Sequence, residues 1–214
     1  MNRILALGLC LAAIGLGWFA YTRVSPQPAV AASTAPLTPK VENSKIYLVP
    51  LGGFPNEQIT PLVEYYHRKF NLDIEVLQDV SIDNSVLDPQ RQQLIAERLI
   101  DNMRAALPAQ ANDPRAILIG LTSQDVYPAS QGWRFAFGWR QGSTRSAVVS
   151  TARMTLHFPG EPLDLDPSDT RVRKVVTKDI GLLYYGLPQS TNPKSVLYNQ
   201  IMGIEELDAV GEDF

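Results

Sequence analysis

The period of the apolar positions changes several times along the chain, and each change marks an element. Residues 45–51, KIYLVPL, are apolar and partly β-branched, which predicts a strand that Gly52-Gly53 ends. Over residues 57–70 the period becomes helical, with Ile59, Leu62, Val63, Tyr66 and Phe70 on one face and Asn56 placed as a cap. LDIEVL, residues 72–77, alternates and predicts a second strand. Asp88-Pro89 has the form of a helix start, and Leu94, Ile95, Leu99, Ile100 and Met103 supply a buried face as far as about residue 107. AILIGL, residues 116–121, reads as a strand buried on both faces. Residues 135–140 and 145–151 predict two more strands around Gln141-Gly142-Ser143. Ser168 or Asp169 caps a helix over 170–185, and a short helix follows over 204–209. The order β-α-β-α-β-β-β-α-α predicts an α/β fold, a layered sandwich with helices packed on a mixed sheet.

Composition adds the domain limits. The chain has 214 residues, 45% hydrophobic and 19% charged, enough for one domain with its own core. Its net charge is −3 and it has no basic run, so nothing in it points to nucleic acid. Residues 4–21, ILALGLCLAAIGLGWFAY, carry no charge and are just long enough to span a bilayer; Ala29-Val30-Ala31 offers a cleavage site further on. Residues 1–23 therefore read as a membrane anchor or a signal peptide, with the membrane as a partner through residues 4–21. The domain is then expected outside the cytoplasm, membrane-anchored or secreted to a periplasm. Residues 24–42 are rich in Pro, Ala and Ser and read as a linker, and residues 43–214 as the folded domain. The one cysteine, Cys10, lies in the apolar run, so the domain has neither a disulfide nor a thiolate metal site.

Seven stretches, in order, resemble the archaemetzincins, small zinc peptidases of the metzincin clan. They are IYLVPLG, Asp88-Pro89-Gln90-Arg91-Gln92-Gln93, LIGLTSQDVYP, FAFGW with SAVVSTARM, RVRKVVTKDIGLLYYGLP, NPKSVLY and IEELDAVGEDF. The resemblance implies a metzincin-like α/β (α+β) sandwich, a mixed twisted sheet packed with helices, with the former active-site helix near the C-terminus. The metzincin zinc motif is H-E-x-x-H-x-x-G-x-x-H. Aligned on it, Lys178 takes the place of the first histidine, Asp179 that of the glutamate base, Leu182 that of the second histidine, and Gln189 or a neighbour that of the third. The family's cysteine site falls near Ser190, at Ser195 and beyond Phe214, and its methionine beneath the zinc falls on Leu197, with Met202 close by.

An ammonium repels a dication and Leu182 has no lone pair, so no zinc and no other cofactor is expected, and no metal ligand is assigned. The resemblance then implies a non-catalytic pseudopeptidase with a remnant cleft for a peptide or protein, lined by Lys178, Asp179, Leu182, Phe137, Val148 and Ser150. The edge strand 145–151 would bind an extended peptide by strand addition. Two alternatives stay open. One is a divergent zinc-dependent metallopeptidase with Asp179 as its base. The other is a structural envelope protein whose cleft is filled by Leu182, Tyr184 and Tyr185.

The remaining candidates have plainer readings. Asp179 and Lys178 read as solvated helix residues or as binding groups, and His67 as a surface residue; His157 either faces the cleft or is structural. Trp133, Phe135, Phe137 and Trp139 alternate, so they belong on one face, either core or the aromatic wall of a groove. Arg134, Arg140, Arg145 and Arg153 surround the same strands, as a solvated face or as a site for an acidic or C-terminal carboxylate group.

Overall fold

The computed structural model describes residues 37–155 and 168–214. Residues 4–21, the Ala29-Val30-Ala31 site and His157 lie outside them. Strands β1 (Lys45–Pro50), β2 (Ile74–Val76), β5 (Ala116–Thr122), β7 (Gly138–Gln141) and β8 (Ser146–Ser150) form one sheet in the order β2-β1-β5-β8-β7. The first four are parallel to one another, and β7 runs antiparallel to β8 at the edge. A smaller sheet is made of β3 (Leu87–Asp88), β4 (Gln93–Ile95) and β6 (Val126–Tyr127).

Alternation along the central strands supplies two cores. Ile46, Leu48, Ile117, Ile119, Ala147 and Val149 face one way, onto helix α1 (Asn56–Phe70), helix α4 (Ser168–Leu183) and helix α5 (Ile204–Ala209). Tyr47, Val49, Leu118 and Val148 face the other way, onto Leu99, Ile100 and Met103 of helix α2 (Ala96–Ala106). Every residue of β5 is buried, as a parallel strand covered on both faces must be. A one-turn helix α3 (Pro108–Ala111) links α2 to β5. The expected α/β sandwich with a mixed sheet is the observed architecture.

Three expectations are corrected. Asp88-Pro89 does not start a helix. The Asp88 carboxylate accepts from the Gln90 and Arg91 amides at 2.9 and 3.2 Å and closes a turn; Gln92 follows at φ 53°, and Leu94 pairs with Val126 before α2 begins at Ala96. Asx turns and helix caps use the same side-chain chemistry, so the residue types alone do not separate them. Asn56 makes no cap bond; Pro55 holds the cap position of α1. The four aromatics do not share a face: the strand begins only at Gly138, Phe137 joins the core under α4, and Trp139 packs on the opposite side.

Candidate binding cleft

Helix α4 passes beneath the edge strand, and a glycine lets it come close. A Cβ on Gly138 would stand 2.8 Å from Val175 Cγ1 and 3.3 Å from the Val148 carbonyl, so only glycine fits at this crossing. The close approach brings Asp179 up to Arg140. Arg140 Nη1 donates to Asp179 Oδ1 at 3.2 Å, while Asp179 Oδ2 is buried and has no partner. Asp179 is 1% exposed. Burial pushes its carboxyl up to about 6, against the opposing pull of Arg140 and Lys178.

Lys178, one residue earlier, is 8% exposed, and its Nζ donates to the Tyr198 carbonyl. Burial, helped by the neighbouring Arg140 charge, pushes its ammonium down to about 8; Asp179 acts in the opposite direction. Solvated positions for these two residues are therefore corrected. The helix face that carries them is turned inward against the sheet and the 190–199 loop. That loop is closed by the Ser190 amide donating to Leu197 at 2.9 Å and the Asn199 amide donating to Ser190 at 3.0 Å.

In front of these charges opens a pocket of about 570 Å³, a volume suited to a small ligand or a few residues of peptide. Phe135, Phe137 and Trp139 line it from the edge-strand side of the chain, and Ile201 and Met202 from the segment after α4. This aromatic wall is braced from behind by the small sheet. Arg91 Nη2 donates to the carbonyls of Trp133 and Arg134 at 3.1 and 2.8 Å, and Gln93 Nε2 donates to Arg134 at 2.9 Å. Asp88 accepts from the Tyr127 hydroxyl at 2.6 Å, and the Arg91 guanidinium lies over the Tyr127 ring at 3.6 Å. The Asp-x-x-Arg stretch thus positions the aromatic wall.

The predicted site residues separate into three groups. Lys178 and Phe137 line the pocket, and Asp179 lies just behind it. Leu182 is half-buried and is not a lining residue; neither are Tyr184 and Tyr185, which pack edge-on against each other, with Tyr185 also against Phe214. Val148 and Ser150 are corrected: β8 lies between β5 and β7, both residues are buried, and the Ser150 hydroxyl donates to the Gln124 carbonyl. The available edge is β7, because the hairpin lays Trp139 against Val148. Gln189, aligned with the third histidine of the zinc motif, also lines the pocket, whereas Val175 and Ile201 were not foreseen as lining residues. They meet here only through the close crossing and the loop after α4, which leave no local pattern. His67 is a surface residue 3.4 Å from Asp73.

These residues do not fit a zinc ion. The helix positions that would carry ligands hold an ammonium and an aliphatic side chain, and the one carboxylate is buried against a guanidinium. Among the described residues no three His, Cys, Asp or Glu side chains could share a metal.

No protein-family model matches the chain. Similar curated proteins are archaeal. The archaemetzincin of Pyrococcus furiosus is 27% identical over 159 residues, 72% of this chain and 79% of that protein. The archaemetzincin of Haloquadratum walsbyi is 26% identical over 153 residues, 70% and 83% of the two chains. Among solved structures, a zinc-dependent peptidase from Methanocorpusculum labreanum aligns with a TM-score of 0.64 at 22% identity, covering 79% of this chain and 95% of that one. The Archaeoglobus fulgidus archaemetzincin, solved with malonate, aligns with a TM-score of 0.62 at 22% identity, covering 79% and 94%.

The expected location is corrected. A membrane-anchored or exported domain outside the cytoplasm was read from residues 4–21, which lie outside the described residues. Among the described residues no helix is long and apolar enough to cross a membrane, and the likeness is to archaeal archaemetzincins. That expectation is withdrawn. The order of seven matching stretches, the curated relatives and the solved structures agree: the chain is similar in sequence to archaemetzincins and shares their fold.

Proposed function

We propose that this chain keeps the archaemetzincin frame as a peptide-binding domain and does not hydrolyse peptides through zinc. The observation that carries the reading is the charge at the cleft: Lys178 and Arg140 stand beside the carboxylate of Asp179. A dication entering there would meet two cations and one carboxylate already engaged with Arg140. Without a bound metal, no Lewis acid polarises a peptide carbonyl and no water is acidified for attack. A peptide is the ligand class because a relative of the same fold is a zinc-dependent peptidase. Exposed Trp133 and Met202 at the pocket, together with the edge of β7, offer apolar contact and backbone pairing to such a ligand.

The test is turnover of a peptide library by the purified full chain, with zinc added and with a chelator. No cleavage above the buffer rate is expected in either condition, and chelator-sensitive cleavage contradicts the reading. A second reading, a metal-free hydrolase, draws on one observation: burial poises Asp179 near the range of a general base. Against it, Asp179 lies behind the pocket lining, where an attacking water would have to reach it. Turnover that persists with chelator and is lost in Asp179→Asn would favour this second reading.

A further inference from the structure

Among the described residues, the pocket lining contains three cationic side chains, Arg134, Arg140 and Lys178, and no Asp or Glu. This is notable in a chain whose acidic residues outnumber its basic ones, 22 to 19. Just behind the lining, the Asp179 carboxylate is buried and bound to Arg140 through one oxygen. Lys178, Arg140 and Asp179 together carry one net positive charge at the base of the pocket, with Arg134 exposed at its rim.

Donors remain for a ligand. Lys178 uses one of its three N–H groups on the Tyr198 carbonyl, and Arg140 uses one of its five on Asp179. A net charge of plus one is balanced by a monoanion rather than by a dianionic phosphate group. A planar carboxylate also matches a guanidinium and an ammonium side by side. The apolar part of the pocket sets the neighbour of that carboxylate. Phe137, Val175, Trp133 and Met202 share the lining with Lys178 and Arg140, so the pocket accommodates a large apolar group together with the anion.

We infer that the cleft takes the free C-terminal end of a peptide whose last side chain is large and apolar, with Arg140 and Lys178 holding the terminal carboxylate and the aromatic wall holding the side chain. The inference rests on the reading of the cleft as a peptide site. It reverses the polarity expected of a zinc cleft: a protein cation occupies the centre and the ligand brings the negative charge. An internal peptide segment has no main-chain anion to offer there and leaves Lys178 with its single carbonyl partner.

The experiment uses the full chain and fluorescently labelled tetrapeptides ending in phenylalanine, as the free acid and as the C-terminal amide, read by anisotropy. The acid is expected to bind at least about tenfold more tightly than the amide, the loss expected when a charge-assisted hydrogen-bonded contact is removed. In Lys178→Gln, the preference for the acid over the amide should largely disappear. Trp133→Ala, a change at an exposed position, should weaken both peptides. Equal affinity for acid and amide overturns the carboxylate assignment but leaves peptide binding standing. Cleavage of either peptide overturns the non-hydrolytic reading alone, and failure to bind both overturns the two together.

Discussion

Helix α4 carries two buried charge clusters seven residues apart, and they are built in opposite ways. At the N-terminal end, Arg171 is 1% exposed and fully engaged: it donates to both carboxylate oxygens of Asp208 at 2.7 and 2.6 Å, and to the Met154 carbonyl at 2.7 Å. Lys174 follows, with its Nζ donating to the Leu207 and Asp208 carbonyls at 3.1 and 2.8 Å. This cluster clamps α5 to α4. At the C-terminal end, Lys178 has one carbonyl, Asp179 keeps an orphan oxygen, and a pocket opens in front. A satisfied buried ion pair ties elements together. An incompletely satisfied one costs stability, and a cavity beside it marks a place where a ligand can complete it.

The comparison predicts opposite signs for similar substitutions. The largest effect is expected at the clamp: Arg171→Met strands Asp208 and should destabilise the fold by about 3 kcal/mol, read as the shift of the urea midpoint. Lys178→Met removes a buried charge with little to hold it and should stabilise the fold at pH 7, by on the order of 2 kcal/mol. The sign follows from the depressed ammonium. The unfolded chain binds the Lys178 proton more tightly, so the wild type is penalised below about 8 and recovers as pH rises toward 10.5. The gap between variant and wild type should therefore close over that window. If Lys178→Met unfolds more easily than wild type at pH 7, the contrast between the two clusters fails.

Asp179 gives the next effect, of the opposite slope. Its folded carboxyl titrates at about 6 against an ordinary 3.8, so the folded state binds that proton more tightly. Its contribution is fully present below about 4 and is lost as pH rises through 6, by on the order of 2 kcal/mol. The stability difference between wild type and Asp179→Asn, followed by urea unfolding from pH 4 to 7, should show that decline; a flat difference means the carboxyl is not desolvated as described. The smallest effect is expected for Trp133→Ala, which should change stability by less than about 0.5 kcal/mol because the side chain is 39% exposed. A larger loss would make the pocket wall part of the core.

The sequence revealed the frame better than the cleft. AILIGL and KIYLVPL are short apolar runs between turn residues, and each is the strand it promised. The helix with Lys178 and Asp179 was also legible, from its resemblance to a zinc-binding helix. The surroundings of that helix were not. Arg140 is 39 residues from Asp179 and Tyr198 is 20 from Lys178, so neither partner leaves a local pattern. The resemblance placed the edge at strand 145–151, but the hairpin places β7 outside it. The turn at Asp88 used residues that equally well begin a helix, and only the distant pairing of Leu94 with Val126 decides between them.

The central claim, that the cleft of this archaemetzincin-like fold is built against zinc and for an anion, is met most directly by counting metal. Purified full-length protein would be loaded with excess zinc, desalted and analysed for metal per chain, with Lys178→Gln treated in parallel. The account predicts well under one zinc per chain in the wild type. One tightly held zinc per chain, released by chelator together with peptide-cleaving activity, would contradict it.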